Sequence, residues 1–161
     1  MKNTLLNICI LCMVFPFFLQ AADTHSVYNL RCEQEENPLG IETGQPCFSW
    51  QIQAQQRNFE QSAWQILVAD SPEKLQAGNG NIWDSGKITV QPKTLSSASI
   101  LVPFKGKELK AGQTYYWKVR SWDKEDSPSR WSCIHTFGMG LLSEKDWSNA
   151  KWIALEKDRK D

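Results

Sequence analysis

Apolar and polar residues alternate along most of this chain. Tyr28, Leu30 and Cys32 are interleaved with Asn29, Arg31 and Glu33, and Phe48, Trp50 and Ile52 with Cys47, Ser49, Gln51 and Gln53. A period of two sends successive side chains to opposite faces, so each stretch predicts an antiparallel strand with one buried face. The same pattern turns Trp64, Ile66 and Val68 inward on a third strand, Ala98, Ile100 and Val102 on another, and Tyr115, Trp117 and Val119 on a long one. A short strand around Ile82 to Ser85 and a last one from about Trp131 to Phe137 complete the set. Turn residues stand between them: Asn37-Pro38-Leu39-Gly40, Gly78-Asn79-Gly80-Asn81, Ser85-Gly86 and Lys110-Ala111-Gly112. Strands punctuated in this way predict an all-β sandwich.

Almost no helical period interrupts the pattern. One short helix is expected after Ser71, which is suited to cap it, with Pro72 at the first helical position and Gly78 ending it. The segment Leu109-Lys110-Ala111-Gly112-Gln113-Thr114-Tyr115 has the form of a tyrosine corner: a Leu, a tight turn, then a Tyr whose ring packs inside while its hydroxyl bonds to corner backbone. Together with Trp50 on an early strand, it points to a fibronectin type III or immunoglobulin-like β-sandwich of about seven antiparallel strands over residues 23–140.

The N-terminus reads differently. Lys2 precedes an apolar run from Leu5 to Leu19, broken by Asn7 and Pro16 and followed by Gln20, Ala21 and Ala22. A positive start, a short apolar stretch and a small-residue exit make residues 1–22 a secretory signal, with an uncleaved anchor as the alternative. The run falls short of the roughly 18 apolar residues of a spanning helix, so no membrane partner is expected after cleavage. The product is expected to be exported, to the periplasm, the cell surface or the medium. Cys9 and Cys12 form a Cys-x-x-Cys spacing, but inside the segment to be removed. Alternation places Cys32 on the apolar side of its strand and Cys47 on the polar side of the next, so their side chains point apart. Cys32, Cys47 and Cys133 are therefore expected as free thiols, Cys32 serving as a small core residue.

Composition narrows the function. The 161 residues suffice for one domain. Their 18 Lys+Arg balance 18 Asp+Glu with no block of like charge, which gives no footprint for nucleic acid. His25 and His135 are the two histidines, too few for a multi-histidine metal site or a convincing Ser-His-Asp arrangement, and no glycine-rich phosphate loop is present. No metal or cofactor is expected. Eight Trp residues are the outlier, since each fills a core or waits at a surface for a flat ligand or a neighbouring domain.

An ordered set of segments carries a family resemblance. Asn37-Pro38-Leu39-Gly40-Ile41, Phe48-Ser49-Trp50, Gln61-Ser62-Ala63-Trp64-Gln65-Ile66-Leu67-Val68, Ile82-Trp83-Asp84-Ser85-Gly86-Lys87, Tyr115-Tyr116-Trp117-Lys118-Val119-Arg120 and Trp131-Ser132 follow one another across Val27 to Gly140. Together they resemble the N-terminal fibronectin-III-like module of bacterial α-L-rhamnosidases of glycoside hydrolase family 78. The ending Asp146-Trp147-Ser148-Asn149-Ala150-Lys151-Trp152-Ile153 resembles the connection from that module to the next β domain, so residues 141–161 are expected to be a linker. The resemblance implies that catalysis, with inversion, belongs to an (α/α)6 barrel far downstream. It implies no catalytic residue in this chain, and the downstream domains of the same enzyme as partners.

The residues that look chemical are few. Asp84 is the best-placed acid, yet its position before Ser85-Gly86 predicts a turn carboxylate accepting backbone N–H groups. Tyr116, Lys118, Arg120 and Trp122 share the long-strand face opposite the core, with Trp131 beside it if the last strand pairs there. Tyr116, Arg120, Trp122 and Trp131 are the candidate surface, either for rhamnose-containing glycans or for a neighbouring domain; the third reading is Arg120 lying over a Trp. Trp50, Leu109, Tyr115 and Trp117 are expected to be structural. Trp147 and Trp152 are expected to pack onto the sandwich or into another domain. Two functions follow: a non-catalytic module of an exported rhamnosidase, or a free-standing carbohydrate- or protein-binding module.

Overall fold

The computed structural model describes residues 25–90, 99–148 and 150–151; the signal reading at 1–22, Ala98 and Trp152 lie outside them. Strands β1 (His25–Cys32), β2 (Cys47–Ala54) and β6 (Val102–Pro103) form one antiparallel sheet in the order β1-β2-β6. The second sheet runs β4 (Trp83–Asp84), β3 (Gln61–Ala69), β7 (Thr114–Asp123), β8 (His135–Gly138), with β5 (Ile88–Thr89) also on β3. The fold is an immunoglobulin-like all-β sandwich. The two-residue β5 is the strand that alternation alone does not reveal.

Aromatic rings join the sheets. Phe48 is fully buried and meets Trp117 at 4.5 Å, Phe137 at 5.6 Å, Trp83 at 6.2 Å and Phe104 at 6.4 Å between ring centroids. These are the offset and edge-on separations that aromatic quadrupoles favour. Trp50 meets Trp64 edge-on at 5.7 Å, and Ile66, Val68, Tyr115 and Val119 belong to the same core.

Three expectations are corrected. Tyr28 is 47% exposed, whereas Val27, Leu30 and Cys32 are buried. The pairing of β1 with β2 shifts between Tyr28 and Arg31, where Asn29 sits at φ +49°. The bulge inserts a residue and reverses the alternation beyond it. Ile100 also points out, 55% exposed, because Leu101 turns at φ +52° and donates its N–H to Ser49 Oγ at 2.9 Å before β6 begins. Finally, the last strand starts at His135 and not near Trp131. The stretch before it is held on β7 by backbone and serine side-chain bonds, as described below.

The turn motifs have structural uses. Ser71 caps α1 (Pro72–Gln76), Pro72 opens it, and Gly78 follows its end at φ +75° with its N–H on Leu75 O. Tyr115 Oη accepts the Lys110 N–H at 2.9 Å while Leu109 is buried, which makes the corner. Asn37 Oδ1 accepts the Thr136 N–H at 2.8 Å, Gly138 N donates to Pro38 O, Ile41 N donates to Gly138 O, and Gly140 N donates to Ile41 O. A Cβ on Gly140 would stand 3.0 Å from Gly40 O, so glycine is what lets these two backbones meet. Through Asn37 to Ile41 the chain thus covers the β8 edge, which would otherwise invite pairing. No helix among the described residues is long and apolar enough to cross a membrane.

Cys32, Cys47 and Cys133 are all free. Burial pushes the Cys32 thiol far above its ordinary range, with the Glu33 carboxylate adding to it; Cys47 is raised by the same two causes. The unfolded chain gives up the Cys32 proton at lower pH than the folded chain does. Stability therefore falls as pH rises through the ordinary thiol range.

Two predictions follow from this packing. Tyr115→Phe removes the acceptor of the Lys110 N–H and is expected to cost about 1–2 kcal/mol, read as a lower urea midpoint at unchanged slope. Alkylation with iodoacetamide at mildly alkaline pH, followed by intact mass and peptide mapping, is expected to label exposed Cys133 first and Cys32 only after denaturation. Equal labelling of Cys32 in the native chain contradicts its burial.

Candidate functional site

The face of β7 opposite the aromatic core is not an open surface. Lys118 and Trp122 are both 7% exposed. Beneath α1 lies a second, smaller core of Leu67, Ala69 and Leu75, against which Tyr116, Trp131 and Ile134 pack. Lys118 reaches under the helix and donates its ammonium to Leu75 O, a carbonyl at the helix end that also accepts the Gly78 N–H. Burial lowers the pKa of Lys118, and the charge of Arg120 lowers it further.

Cations and rings alternate along this face. The Arg120 guanidinium lies 4.5 Å from the Trp131 ring centroid and 4.7 Å from that of Trp122. Lys118 Nζ adds a second cation at 4.8 Å from Trp131, and Lys87 Nζ one at 5.0 Å from Trp122. Arg120 also donates through Nε and Nη2 to Gln65 Oε1 at 3.1 and 2.8 Å, and Gln65 Nε2 in turn donates to Asp84 Oδ1 at 2.7 Å. Burial lowers the Arg120 pKa, and the Asp84 charge opposes the shift. Of the readings open in the sequence, the geometry shows Arg120 lying over Trp rings: the chain's own cations occupy the aromatic faces that a sugar needs.

Trp131 is positioned without a β ladder. Ser132 N donates to Val119 O at 2.9 Å and Ser132 Oγ accepts the Val119 N–H at 3.1 Å. Ser129 repeats the exchange with Ser121, at 2.8 and 3.1 Å. The two serines, three apart, each donate a main-chain N–H to β7 and accept with Oγ, so that side-chain oxygens complete the pairing where the segment is not a strand. Trp131 can then turn onto β7 from outside the sheet. The roles of Gln65, Lys87, Ser129 and Ser132 escaped the sequence reading, because their partners are distant in the chain and polar residues carry no periodic signal of such contacts.

The described aspartates are taken up by local structure. Each aspartate among the described residues has a structural partner: Asp70 takes Lys74 Nζ at 2.7 Å, Asp84 takes Gly86 N at 2.8 Å, and Asp123 takes Glu125 N and Ser127 N at 3.0 and 2.8 Å. Asp126 pairs with Lys87, and Asp146 takes Ser143 N at 2.7 Å and Leu142 N at 3.0 Å. Hydrogen bonds from Lys74 and Ser143 respectively hold the Asp70 and Asp146 carboxyls below the usual range. Ionised carboxylates of this kind do not serve as general acids. No group of three or more metal-ligating side chains occurs among the described residues.

With this sandwich in view, comparison with known proteins is decisive. Residues 27–143 match the family described as the Rha78A-like, N-terminal immunoglobulin domain. The chain belongs to this family. An α-L-rhamnosidase of Formosa agariphila is 46% identical over 124 residues, which is 77% of this chain and 12% of that protein. The structure of α-L-rhamnosidase from Dictyoglumus thermophilum superposes with a TM-score of 0.70 at 36% identity, over 76% of this chain and 13% of that one. The Streptomyces avermitilis α-L-rhamnosidase, crystallised with L-rhamnose, gives 0.69 at 33% identity, over 77% and 11%. The chain thus spans only 11–12% of the curated relatives it matches. What it shares with them is an N-terminal immunoglobulin-like domain of α-L-rhamnosidases.

In this domain Arg120 is common to the contacts on Trp122 and Trp131. Arg120→Ala is expected to lower stability by about 2 kcal/mol, from two lost cation–π contacts and the bond to Gln65. Arg120→Lys is expected to recover only part of the loss, because an ammonium lacks the flat fork that meets two rings and an amide oxygen together. Urea denaturation of the three proteins checks the order.

Proposed function

We propose that this chain is the non-catalytic N-terminal module of an exported α-L-rhamnosidase, a glycoside hydrolase, and that it packs against and positions later domains of that enzyme. The observation that carries the reading is the mismatch in coverage: the likeness takes in 77% of this chain but 12% of the Formosa agariphila enzyme. Glycoside hydrolysis requires one carboxyl to protonate the leaving oxygen and a second to activate water or attack, set a fixed distance apart across a cleft. The hydrogen-bonded aspartates of the sandwich offer no such pair, which supports assigning the chemistry elsewhere.

The positioning role draws support from the end of the domain where the chain leaves the sandwich. Leu142 packs on the main core, Leu141 is 39% exposed beside it, and Trp147, on the 3-10 turn Glu144–Trp147, is 59% exposed. Large apolar side chains outside a closed core suit a contact with a following domain. Export rests on Lys2 and the apolar run to Leu19, and places the enzyme in the periplasm, on the cell surface or in the medium.

The chain alone is expected to release no nitrophenol from an aryl α-L-rhamnoside above a buffer blank. Turnover that scales with protein concentration and survives repurification overturns the non-catalytic assignment.

A further inference from the structure

On the other sheet, the bulge in β1 does more than break a pattern. In a regular strand Tyr28 and Arg31, an odd number of residues apart, would face opposite sides. The extra residue at Asn29 brings them to the same outer face, Tyr28 opposite Gln51 and Arg31 opposite Ser49 on β2. Bulges commonly re-aim a side chain in this way beside binding sites. The result is an open groove of about 490 Å³ whose lining includes Tyr28, Asn29, Arg31, Gln51 and Ile100, a volume within the range of small-ligand sites.

The groove's chemistry is mixed in a particular way. Tyr28 is 47% exposed and Ile100 55%, which gives an aromatic plane and an aliphatic neighbour in water. Arg31 is fixed in place: its Nε donates to Asn29 Oδ1 at 3.2 Å and its Nη1 to Gln34 O at 2.9 Å. Among the described residues its Nη2 donates to no group, nor does the Gln51 amide. An aromatic plane next to a pre-oriented guanidinium and the Gln51 amide matches a pyranose ring, whose C–H face is apolar and whose rim is hydroxyls. Among the described residues no cation covers this ring, unlike Trp122 and Trp131.

We propose that the outer face of the three-stranded sheet is an accessory sugar site that takes one 6-deoxyhexose residue, with Tyr28 as platform, Ile100 beside the sugar's methyl group, and Arg31, Asn29 and Gln51 on its hydroxyls. The choice of a rhamnosyl unit rests on the function proposed above; the site itself rests on the groove. An open groove holding one ring binds weakly, in the millimolar range. Its use is to keep a rhamnose-bearing chain near the enzyme by raising local concentration.

The test is saturation-transfer NMR and calorimetric titration of the full chain with L-rhamnose, with D-glucose as the comparison sugar. Rhamnose is expected to bind and glucose to bind more weakly. Tyr28→Ala and Arg31→Ala, both at exposed positions, are expected to weaken rhamnose by about tenfold or more while their urea midpoints stay near the parent's. Trp147→Ala, at an exposed ring elsewhere, is expected to leave binding unchanged. No transfer to rhamnose at tens of millimolar, or binding that Tyr28→Ala leaves intact, overturns the site; equal binding of glucose overturns the deoxyhexose assignment. The ligand here is the free monosaccharide, so the result is independent of turnover. Nitrophenol release would sink the non-catalytic reading and leave this one standing.

Discussion

The contact between Phe48 and Trp117, one ring from each sheet at 4.5 Å, is the constraint on which the sandwich depends. Two twisted sheets have no covalent reason to stay face to face; they do so because each presents an apolar layer that loses water only when the other is present. Phe48 and Trp117 stand in the middle of those layers, with Trp83, Phe104 and Phe137 around Phe48. Core aromatics of this size remove more area from water than any other side chain. The edges are then closed by particular devices: the tyrosine corner at Lys110, and the Asn37 to Ile41 segment along β8.

Strand β7 is buried on both sides, and for different reasons. Its inner side, Tyr115, Trp117 and Val119, is apolar and belongs to the main core. Its outer side alternates Lys118, Arg120 and Trp122, and is satisfied by Leu75 O, Gln65 and Trp131. A buried cation is costly unless hydrogen bonds and ring faces replace its water. Here both are supplied, so a strip that reads as a binding surface is used internally. On the opposite sheet an inserted residue turns Tyr28 and Arg31 to the same, outer side.

Most of the fold was legible in the sequence. Alternation located β2, β3 and β7, the Ser71-Pro72 pair located the helix, and Leu109 to Tyr115 announced the corner. These signals are local: each depends on residues within a few positions of one another, so a linear reading finds them. The resemblance carried by the Asn37 to Trp131 segments went further and indicated the family, which the match over residues 27–143 shows.

What the sequence by itself determined, then, was most of the core-facing positions, Tyr28 and Ile100 excepted, and the turns that connect them, because side-chain period and turn chemistry are properties of neighbours. Only the tertiary structure decided which outer face is covered. Whether Arg120 is free or stacked depends on Trp131, Trp122 and Gln65 arriving from separate parts of the chain. Whether Tyr28 points in or out depends on a bulge that exists only against β2. Both are long-range facts, set by how strands pair and not by the order of polar and apolar residues, and the surface chemistry of this domain follows from them.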